Sequence, residues 1–516
     1  MPKPTTADRG APNILVIQAD QLTPGVLPAY GHPLVKAPNI DSLAESGVVF
    51  ESAYCNFPLC VPSRASMMAG RFAHNIASWD NAMEMPAHIP TLAHYLRVAG
   101  YHTVLSGKMH FIGPDQVHGF SERVTTDIYP ANFAWTPDWI AGERYRPTGI
   151  NPSGIVEAGQ CVRSLQIDYD DEVEHASVQK LFDLARFNDD KPWLLWASFT
   201  HPHSPFVTTK KYWDLYDHDD IDMPKVPPIP VDELDEMSRW LYYAHAQDLL
   251  TIKDEHVRNA RHAYYGMTSY IDDKVGHIMR TLEELGLRDN TIVVFTADHG
   301  EMLGERGKWF KQYFYEGSVR VPLIVSYPPG YSPARVAEHV SLVDLLPTFM
   351  DWSGAQWDQA TPLDGNSLDG LLSGGDADWD NTVISEYTGE GVIAPCRMIR
   401  RGKYKYIYTH GHPGLLYNTA DDPLELQNLA GSPEYADVET ELSRDILAGW
   451  NPAAVNDACI QSQKERLFIQ KATGGEPTWA FLSRQGDAGR FVRNSGATQT
   501  KQKARYPCVE PTPFER

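Results

Sequence analysis

The chain of 516 residues lacks the features that would place it in a membrane or on a nucleic acid. No apolar run approaches the roughly 20 residues needed to cross a bilayer, and the first such run covers only residues 14–17. The net charge of −22 argues against nucleic acid and anionic membrane surfaces as partners. There is also no low-complexity tract and no internal repeat, so a globular protein of more than one domain is predicted.

Cysteine is scarce and never closely paired. None of the six cysteines forms a C-x-x-C pair, which argues against a disulfide framework and a zinc–thiolate site. Residues 1–13 are polar and contain no apolar segment before a small-residue cleavage site, so no secretory signal is predicted. These absences predict a cytoplasmic protein.

The first two-thirds of the chain alternates short apolar segments with amphipathic ones. Strands are predicted at 13–20, 101–106, 193–199 and 291–296, where nearly continuous apolar runs are typical of buried parallel strands. Helices are predicted at 63–70, 89–99, 178–187 and 267–285 from apolar spacings of three and four. This alternation predicts an α/β fold with a large, mostly parallel sheet sandwiched by helices. Residues 130–175 and 203–260 have weak periodicity and are predicted to be insertions that shape a pocket.

Near residue 375 the pattern changes to short strands at 383–387, 398–401 and 404–408, followed by a largely helical stretch at 421–450. This change predicts a smaller α+β domain with an antiparallel sheet. The predicted division is a large α/β domain at 1–375, a C-terminal α+β subdomain at 376–460 and a C-terminal tail at 461–516.

Polar residues follow four of the predicted strands. They are Asp20, then Lys108 and His110, then His201 and His203, and finally Asp298 and His299. Ligands of open α/β sheets bind at the carboxyl ends of the strands, so these residues predict one site. Asp20, Asp298 and His299, with Gln21 as a further candidate, offer mainly oxygen ligands. This set favours Ca²⁺ or Mg²⁺, the imidazole leaves Mn²⁺ open, and zinc is disfavoured.

Cys60 opens the segment Cys60-Val61-Pro62-Ser63-Arg64, which is predicted to begin a helix with proline in its first turn. A side chain at a helix N-terminus lies in a field that favours anions. Arg64 is one turn into this helix, and Lys108 and Lys311 supply further positive charge for an anionic substrate. His110 and His201 are candidates for proton transfer, and the sequence leaves open which performs which step.

The motif C-x-P-S-R resembles the recognition sequence of type I sulfatases, in which the cysteine is converted to formylglycine. The order and spacing of the other motifs match this family of the alkaline phosphatase superfamily over most of the chain: Asp20, Gly107-Lys108-Met109-His110, His201, Asp298-His299-Gly300 and Lys311. Within the family, the stretches 106–115, 125–131, 135–138 and 309–318 are most similar to choline-sulfatases. The resemblance implies an alkaline phosphatase/sulfatase-like fold and Ca²⁺-dependent hydrolysis of a sulfate monoester, choline O-sulfate.

Formylglycine explains why this family needs a modified cysteine. Its hydrated aldehyde is a geminal diol, one oxygen of which attacks sulfur. The second hydroxyl then lets the sulfated intermediate collapse back to the aldehyde, which a serine could not do. The resemblance implies a metal held by Asp20, Asp298, His299 and the modified Cys60. It implies that the sulfate is surrounded by Arg64, Asn81, Lys108, His110, His201 and Lys311. It also implies that Trp135 and Glu386 face the quaternary ammonium, a sound pairing because an aromatic face and a carboxylate both attract a cation.

Other consequences of the resemblance concern partners. It implies an enzyme that converts Cys60, and a homo-oligomer, dimer or tetramer, whose C-terminal tails reach into neighbouring subunits. The corresponding stretch here, 476–481, keeps Trp479 but lacks the tyrosines and the following acid of choline-sulfatases, and Glu476 is a candidate substitute.

Two alternatives remain open at this point. One is an arylsulfatase or a phosphonate or phosphate ester hydrolase of the same superfamily, and the other is a non-catalytic binding protein with an unmodified Cys60. A phosphate-transferring mutase is disfavoured, because those enzymes have Ser or Thr where Cys60 stands.

Overall fold

A computed structural model describes residues 11–146, 150, 152–187, 191–375, 378–474, 505–509 and 512. The strands of the described residues are β1 (Asn13–Ala19), β2 (Val48–Tyr54), β3 (His102–Gly107), β4 (Glu122–Arg123), β5 (Gly159–Cys161), β6 (Trp193–Ser198), β7 (Val207–Thr209), β8 (Thr291–Ala297), β9 (Arg320–Ser326), β10 (Ala334–Ser341), β11 (Thr382–Tyr387), β12 (Cys396–Arg401), β13 (Tyr404–Thr409) and β14 (Leu415–Asn418). The α-helices are α1 (Pro38–Glu45), α2 (Cys60–Ala69), α3 (Leu92–Val98), α4 (Ser153–Val156), α5 (Leu165–Phe187), α6 (Lys210–Trp213), α7 (Glu236–Ala244), α8 (Asp254–Glu284), α9 (Glu316–Val319), α10 (Leu345–Ser353), α11 (Asp369–Leu372), α12 (Ala436–Ile446) and α13 (Pro452–Thr473).

Eight strands form the large sheet in the order β10-β2-β9-β8-β1-β6-β3-β4. Every neighbouring pair is parallel except the two pairs that involve β9. Strand β1 lies at the centre, where Ile14 pairs with Leu194 of β6 on one side and Ile292 of β8 on the other. All residues of β1, β6 and β8 are buried, as expected for parallel strands covered on both faces. The predicted large, mostly parallel sheet is confirmed.

The helices that pack on this sheet include two that begin earlier than predicted. Helix α8 begins at Asp254 rather than near 267, and α5 begins at Leu165 rather than near 178. The first turns of α8 bury polar and aromatic side chains, among them His262 and Tyr264, and this mixture masks the apolar spacing. The segments 130–175 and 203–260, predicted to be irregular insertions, therefore contribute regular helix to the core.

The smaller sheet is an antiparallel meander of β11, β12, β13 and β14, as predicted. Helix α12 packs on it through Leu442 and Ile446, which share a buried cluster with Tyr406. The prediction of a largely helical 421–450 is wrong for its first half, because α12 covers only Ala436–Ile446. There the chain turns back on the sheet instead, and the N–H of Leu429 donates to the carbonyl of Leu416 (2.8 Å).

Helix α13 follows and runs across the predicted boundary at residue 460. The division into 1–375, 376–460 and 461–516 stays a prediction. Glu476, Trp479 and most of the predicted tail lie outside the described residues. Among the helices that the structure describes, none combines the length and the apolar character that crossing a bilayer requires.

Candidate active site

The carboxyl ends of β1, β3, β6 and β8 bring their polar residues to one edge of the large sheet. Asp20 follows β1, Lys108 follows β3, and Asp298 follows β8. The backbone N–H of Asp20 donates to the carbonyl of His201 (3.2 Å), and that of Lys108 donates to the carbonyl of Ser198 (2.9 Å). Because these four strands are consecutive in the sheet, in the order β8-β1-β6-β3, residues far apart in sequence converge there.

Four buried side chains of this edge form a candidate metal centre. The ligand atoms of Asp20, Cys60, Asp298 and His299 all lie within 4.8 Å of one another. The Cys60 Sγ is 3.2 Å from His299 Nε2 and 3.9 Å from Asp20 Oδ1, and His299 Nε2 is 3.7 Å from Asp298 Oδ2. Two carboxylates and one imidazole, closed off from water, are a donor set that fits one hard divalent cation.

Gln21 does not turn its side chain towards these four residues. Its amide oxygen accepts from Lys311 Nζ (2.5 Å), and its amide nitrogen donates to the buried Glu301. Only its backbone N–H reaches the cluster, where it donates to Asp298 Oδ1 (3.1 Å). Gln21 therefore holds Lys311 in place and orients a carboxylate of the metal centre.

Cys60 is the first residue of α2, and its neighbours fix the start of that helix. The N–H of Val61 donates to Asn81 Oδ1 (3.0 Å), and the Ser63 hydroxyl donates to the carbonyl of Asp298 (2.5 Å). The Cys60 side chain is 1% exposed, and burial raises the pKa of its thiol to about 11. An unmodified Cys60 is thus a protonated thiol at neutral pH and a poor nucleophile.

The Arg64 guanidinium connects the metal centre to the end of β3. Its Nε donates to Asp298 Oδ2 (2.8 Å), and its Nη1 donates to the carbonyl of Lys108 (2.7 Å). Its Nη2 lies 3.8 Å from Asp20 Oδ2 and makes no hydrogen bond to the described residues. One donor of this fully buried guanidinium is therefore left for another acceptor.

The two lysines bring positive charge to the same edge. Lys108 Nζ contacts Asp20 Oδ2 and lies 4.4 Å from the centre of the Tyr129 ring, and burial lowers the pKa of Lys108 to about 7. Lys311 Nζ donates to His203 Nε2 (2.7 Å) as well as to Gln21. These two buried lysines give this acidic protein a local basic pocket.

His110 is held in the left-handed region (φ 60°) by Asp127, whose Oδ2 accepts from the N–H groups of Met109 (3.1 Å) and His110 (2.7 Å). Neither ring nitrogen of His110 has a hydrogen-bond partner among the described residues, although the side chain is buried. Burial and the Lys108 charge keep the pKa of His110 well below its usual value, so the ring is neutral. A buried imidazole with both nitrogens unpaired is positioned to meet a ligand.

His201 has a buried carboxylate partner that the sequence did not reveal. Its Nδ1 lies 2.6 Å from Asp170 Oδ2, and its backbone N–H donates to the same oxygen (2.9 Å). A carboxylate only accepts, so Nδ1 carries the proton and Nε2 is the atom left for chemistry. Asp170 belongs to α5, in a segment predicted to be an insertion, and no pattern in the sequence pointed to it.

Trp135 borders the site through two aromatic neighbours. Its ring lies 5.9 Å from that of His110 and 6.2 Å from that of Tyr129, measured between centres. Tyr129 also packs against His203 at 5.1 Å. Trp135 is only partly buried, so an aromatic wall next to the basic pocket remains open to a ligand.

Glu386 and Glu390 lie close together in sequence but differ in environment. The Glu386 carboxylate is paired with Arg397 Nε (3.1 Å) and His74 Nδ1 (2.7 Å). Glu390 is 2% exposed and forms no ion pair with a described lysine, arginine or histidine. Its Oε1 accepts from Asn81 Nδ2 (3.1 Å), and burial, reinforced by Asp80, raises its pKa to about 8. The sequence did not point to Glu390, although it lies close to Glu386, in the loop that follows β11.

Comparison with known proteins places this chain in a family. Residues 12–355 match the sulfatase family, and residues 304–449 match the C-terminal region of N-sulphoglucosamine sulphohydrolase. A choline-sulfatase of Rhizobium meliloti (strain 1021) is 42% identical over 512 residues, covering 97% of this chain and 99% of the relative. Arylsulfatase K of Bos taurus is 30% identical over 90% of this chain and 86% of its own length. The structure of a phosphonate monoester hydrolase of Agrobacterium radiobacter superposes with a TM-score of 0.69 at 26% identity, covering 85% of this chain and 95% of that one.

The chain therefore belongs to the sulfatase family, and it is a sulfuric ester hydrolase. The predicted alkaline phosphatase/sulfatase-like fold is confirmed, since both its large mixed sheet and its C-terminal antiparallel sheet are present. The similarity to a choline-sulfatase extends over nearly the whole chain.

Proposed function

We propose that this sulfatase cleaves a small cationic sulfate monoester, choline O-sulfate, with formylglycine at position 60 and one divalent cation. The observation that carries the choline assignment is the buried Glu390 side chain, which forms no ion pair with a described lysine, arginine or histidine and is held by Asn81. A buried unpaired carboxylate is costly unless a cation neutralises it. Asn81 links Glu390 to the metal centre, because its Oδ1 also accepts from the N–H of Val61, the residue after Cys60. We assign to Glu390, rather than to the already paired Glu386, the carboxylate that faces the ammonium.

The cation is assigned to Asp20, Asp298, His299 and the side chain of residue 60. Ca²⁺ suits these ligands best, and Mg²⁺ and Mn²⁺ are the alternatives. When bound, such an ion polarises the sulfate oxygens and lowers the pKa of the attacking hydroxyl.

The remaining residues have two roles: some neutralise the charge of the sulfate, and others transfer protons. Lys108, Lys311 and the free Nη2 of Arg64 offset the charge of the sulfate. The attacking hydroxyl of a formylglycine diol at position 60 would release its proton to solvent, since the bound cation would lower its pKa. As its oxygen bonds to sulfur, the bond from sulfur to the ester oxygen would break, and His201, protonated on both ring nitrogens, would give its Nε2 proton to the leaving oxygen. His110 would then take the proton of the second hydroxyl, so that the bond between carbon and the sulfated oxygen breaks and sulfate and the aldehyde result. Water then restores the diol, so ester and water become alcohol and sulfate.

A substrate panel on converted enzyme tests this proposal. Choline O-sulfate, 4-nitrophenyl sulfate and a phenyl phosphonate monoester are compared by kcat/KM. We expect kcat/KM for choline O-sulfate to exceed that for the aryl sulfate by at least about a hundredfold, because the Trp135 ring and the Glu390 carboxylate both attract a cation. A preference for the aryl sulfate would refute the choline assignment and leave a general arylsulfatase.

A second candidate function is phosphonate monoester hydrolysis. It is supported by the likeness to the phosphonate monoester hydrolase of Agrobacterium radiobacter. The same panel separates the two, since the second candidate requires the phosphonate ester to be the best substrate.

Replacing Asp170 with asparagine is expected to lower kcat for choline O-sulfate by about tenfold or more, because the ring of His201 loses the carboxylate that orients it. The alkoxide of choline needs a proton to leave, whereas 4-nitrophenolate leaves readily without one. The loss of kcat should therefore be much smaller with 4-nitrophenyl sulfate. Asp171→Asn is the matched control, since Asp171 pairs instead with Lys274 and Arg163. Equal losses with both esters would remove His201 as the proton donor.

Replacing Trp135 with alanine is expected to raise KM for choline O-sulfate about fivefold to tenfold, because an aromatic face contributes about 1 kcal/mol or more to a cation contact. KM for an uncharged alkyl sulfate of similar size should change less. Steady-state kinetics on both esters measures the difference, and the same increase for both would show that Trp135 only shapes the pocket.

The proposal includes two partners and a location. Conversion of Cys60 requires a maturation enzyme, and a homo-oligomer, dimer or tetramer, stays a prediction. Cys55, Cys60, Cys161, Cys396 and Cys459 are buried and none of these five forms a disulfide, which supports a reducing compartment such as the cytoplasm.

A further inference from the structure

Helix α13 carries a buried ion pair next to the site that the proposed chemistry does not use. The Nη1 and Nη2 of Arg466 donate to the two carboxylate oxygens of Asp80 at 2.5 and 2.6 Å. The side chains are 5% and 0% exposed. Such a two-pronged contact fixes the carboxylate in direction as well as position. Asp80 Oδ1 also accepts from the N–H of Ala82 (2.9 Å), so the pair sets the shape of a tight turn.

The residue in the middle of that turn is Asn81, which contacts both halves of the site. Its Oδ1 accepts from the N–H of Val61, beside the residue that is proposed to become the nucleophile (3.0 Å). Its Nδ2 donates to Glu390 Oε1 (3.1 Å). A short relay of contacts therefore links Arg466 on the C-terminal helix to the carboxylate assigned to the ammonium.

The same helix also supports the aromatic wall. Gln463 Oε1, one turn before Arg466, accepts from the N–H of Trp139 (3.0 Å). The short helical turn that contains Trp135 packs against α13 as well. One helix thus contacts the turn that holds Glu390 and the helical turn that carries Trp135, the two proposed ligands of the cation.

Stabilisation of the fold alone does not require a buried ion pair between Arg466 and Asp80. Buried ion pairs contribute little net stability compared with apolar residues of the same volume, because both charges lose their hydration. What the pair does provide is a fixed geometry, and a misplacement of a ligand by about 1 Å weakens binding severely. The Asp80 charge also lies close enough to Glu390 to raise its pKa, so Arg466 offsets a negative charge beside the cation pocket.

We propose that Arg466 is a positioning residue that sets the preference for a cationic alcohol, by fixing the Asp80–Asn81 turn against which Glu390 is held. This inference deepens the proposed function and rests on it. It assigns no contact between Arg466 and the substrate. Its effect is therefore expected in KM and in selectivity between esters more than in the chemical step.

The test compares Arg466→Met, Arg466→Lys and the control Lys464→Met, which changes an exposed lysine of the same helix. We expect Arg466→Met to raise KM for choline O-sulfate about tenfold and KM for 4-nitrophenyl sulfate less than threefold, with a common, smaller fall in kcat. Arg466→Lys should recover part of the selectivity, because lysine keeps the charge but not the two-pronged contact. Lys464→Met should match the unchanged protein with both esters.

Each outcome of this test is decisive. If both esters respond equally to Arg466→Met, the residue is only structural and the inference is overturned. If the unchanged enzyme has no preference for choline O-sulfate, the proposed function fails and the inference falls with it, so the two failures are distinguishable. Should Arg466→Met not fold, the double variant Asp80→Asn with Arg466→Met leaves no unpaired charge, and it is expected to show the same selective rise in KM.

Discussion

Cys60→Ala is expected to abolish turnover of every sulfate ester while leaving the fold intact. The side chain of residue 60 provides the proposed nucleophile, and loss of a nucleophile lowers kcat by at least about ten-thousandfold. The change removes one buried sulfur atom at the start of α2, which is expected to lower stability by about 1 kcal/mol. Steady-state kinetics and thermal unfolding measure the two effects separately.

Cys60→Ser provides the sharper control for this result. A serine hydroxyl can form the bond to sulfur but has no second hydroxyl with which to expel the sulfate. We expect at most one sulfate group per chain to be transferred and retained, visible as a mass increase of the peptide that contains residue 60. Sustained turnover by Cys60→Ala, or an unmodified cysteine in active enzyme from the native host, would contradict the formylglycine mechanism.

Glu390→Gln is expected to raise KM for choline O-sulfate by about 30- to 150-fold, with less than a threefold change for 4-nitrophenyl sulfate. A carboxylate next to a cation in a buried site contributes about 2 to 3 kcal/mol after desolvation, which corresponds to that factor. The amide keeps the contact with Asn81 and removes a group whose ionisation burial disfavours. The melting temperature should therefore be unchanged or higher.

The pH dependence of binding gives this prediction a second readout. Burial raises the pKa of Glu390 to about 8, so the carboxyl is protonated below that pH and ionised above it. Only the ionised form attracts an ammonium, so KM for choline O-sulfate should fall as the pH rises towards 8 and level off above it. In Glu390→Gln this dependence should disappear.

Glu386→Gln is the matched control on the same segment. Its carboxylate is paired with Arg397 and His74, so removing the charge leaves a buried arginine without its partner and should lower the melting temperature. The ratio of KM between the two esters should stay nearly constant. If Glu386→Gln changes that ratio while Glu390→Gln does not, the two glutamates have been assigned the wrong way round.

The strand ends of this site were predictable because parallel strands impose a simple rule. Apolar runs located β1, β3, β6 and β8, and the residues after them meet because their carboxyl ends share one edge. The sequence therefore predicted that Asp20, Lys108 and Asp298 lie together. Cys60 joined them only through its motif, since no periodicity indicates that α2 begins at that edge.

The residues that support the site were not predictable in the same way. Asp170 projects from the second turn of α5, Tyr129 lies in an irregular loop, and Glu390 lies in the loop between β11 and β12. Each reaches its partner through tertiary packing, which leaves no spacing in the sequence. The prediction of helix at the start of 421–450 also failed, because Leu424 and Leu426 are exposed in a loop rather than buried on a helix.

Trp135 and Glu390, the two residues proposed to contact the ammonium, come from separate parts of the chain, and this has an evolutionary consequence. The residues proposed for sulfate chemistry all lie between β1 and β9 in the chain, whereas Glu390 lies in the loop between β11 and β12 and Arg466 lies on α13. Changes in this last part of the chain can therefore alter which alcohol is accepted without disturbing hydrolysis. We expect new substrate ranges among descendants of this protein to arise first by divergence beyond β11, with the strand ends kept as an inherited catalytic module.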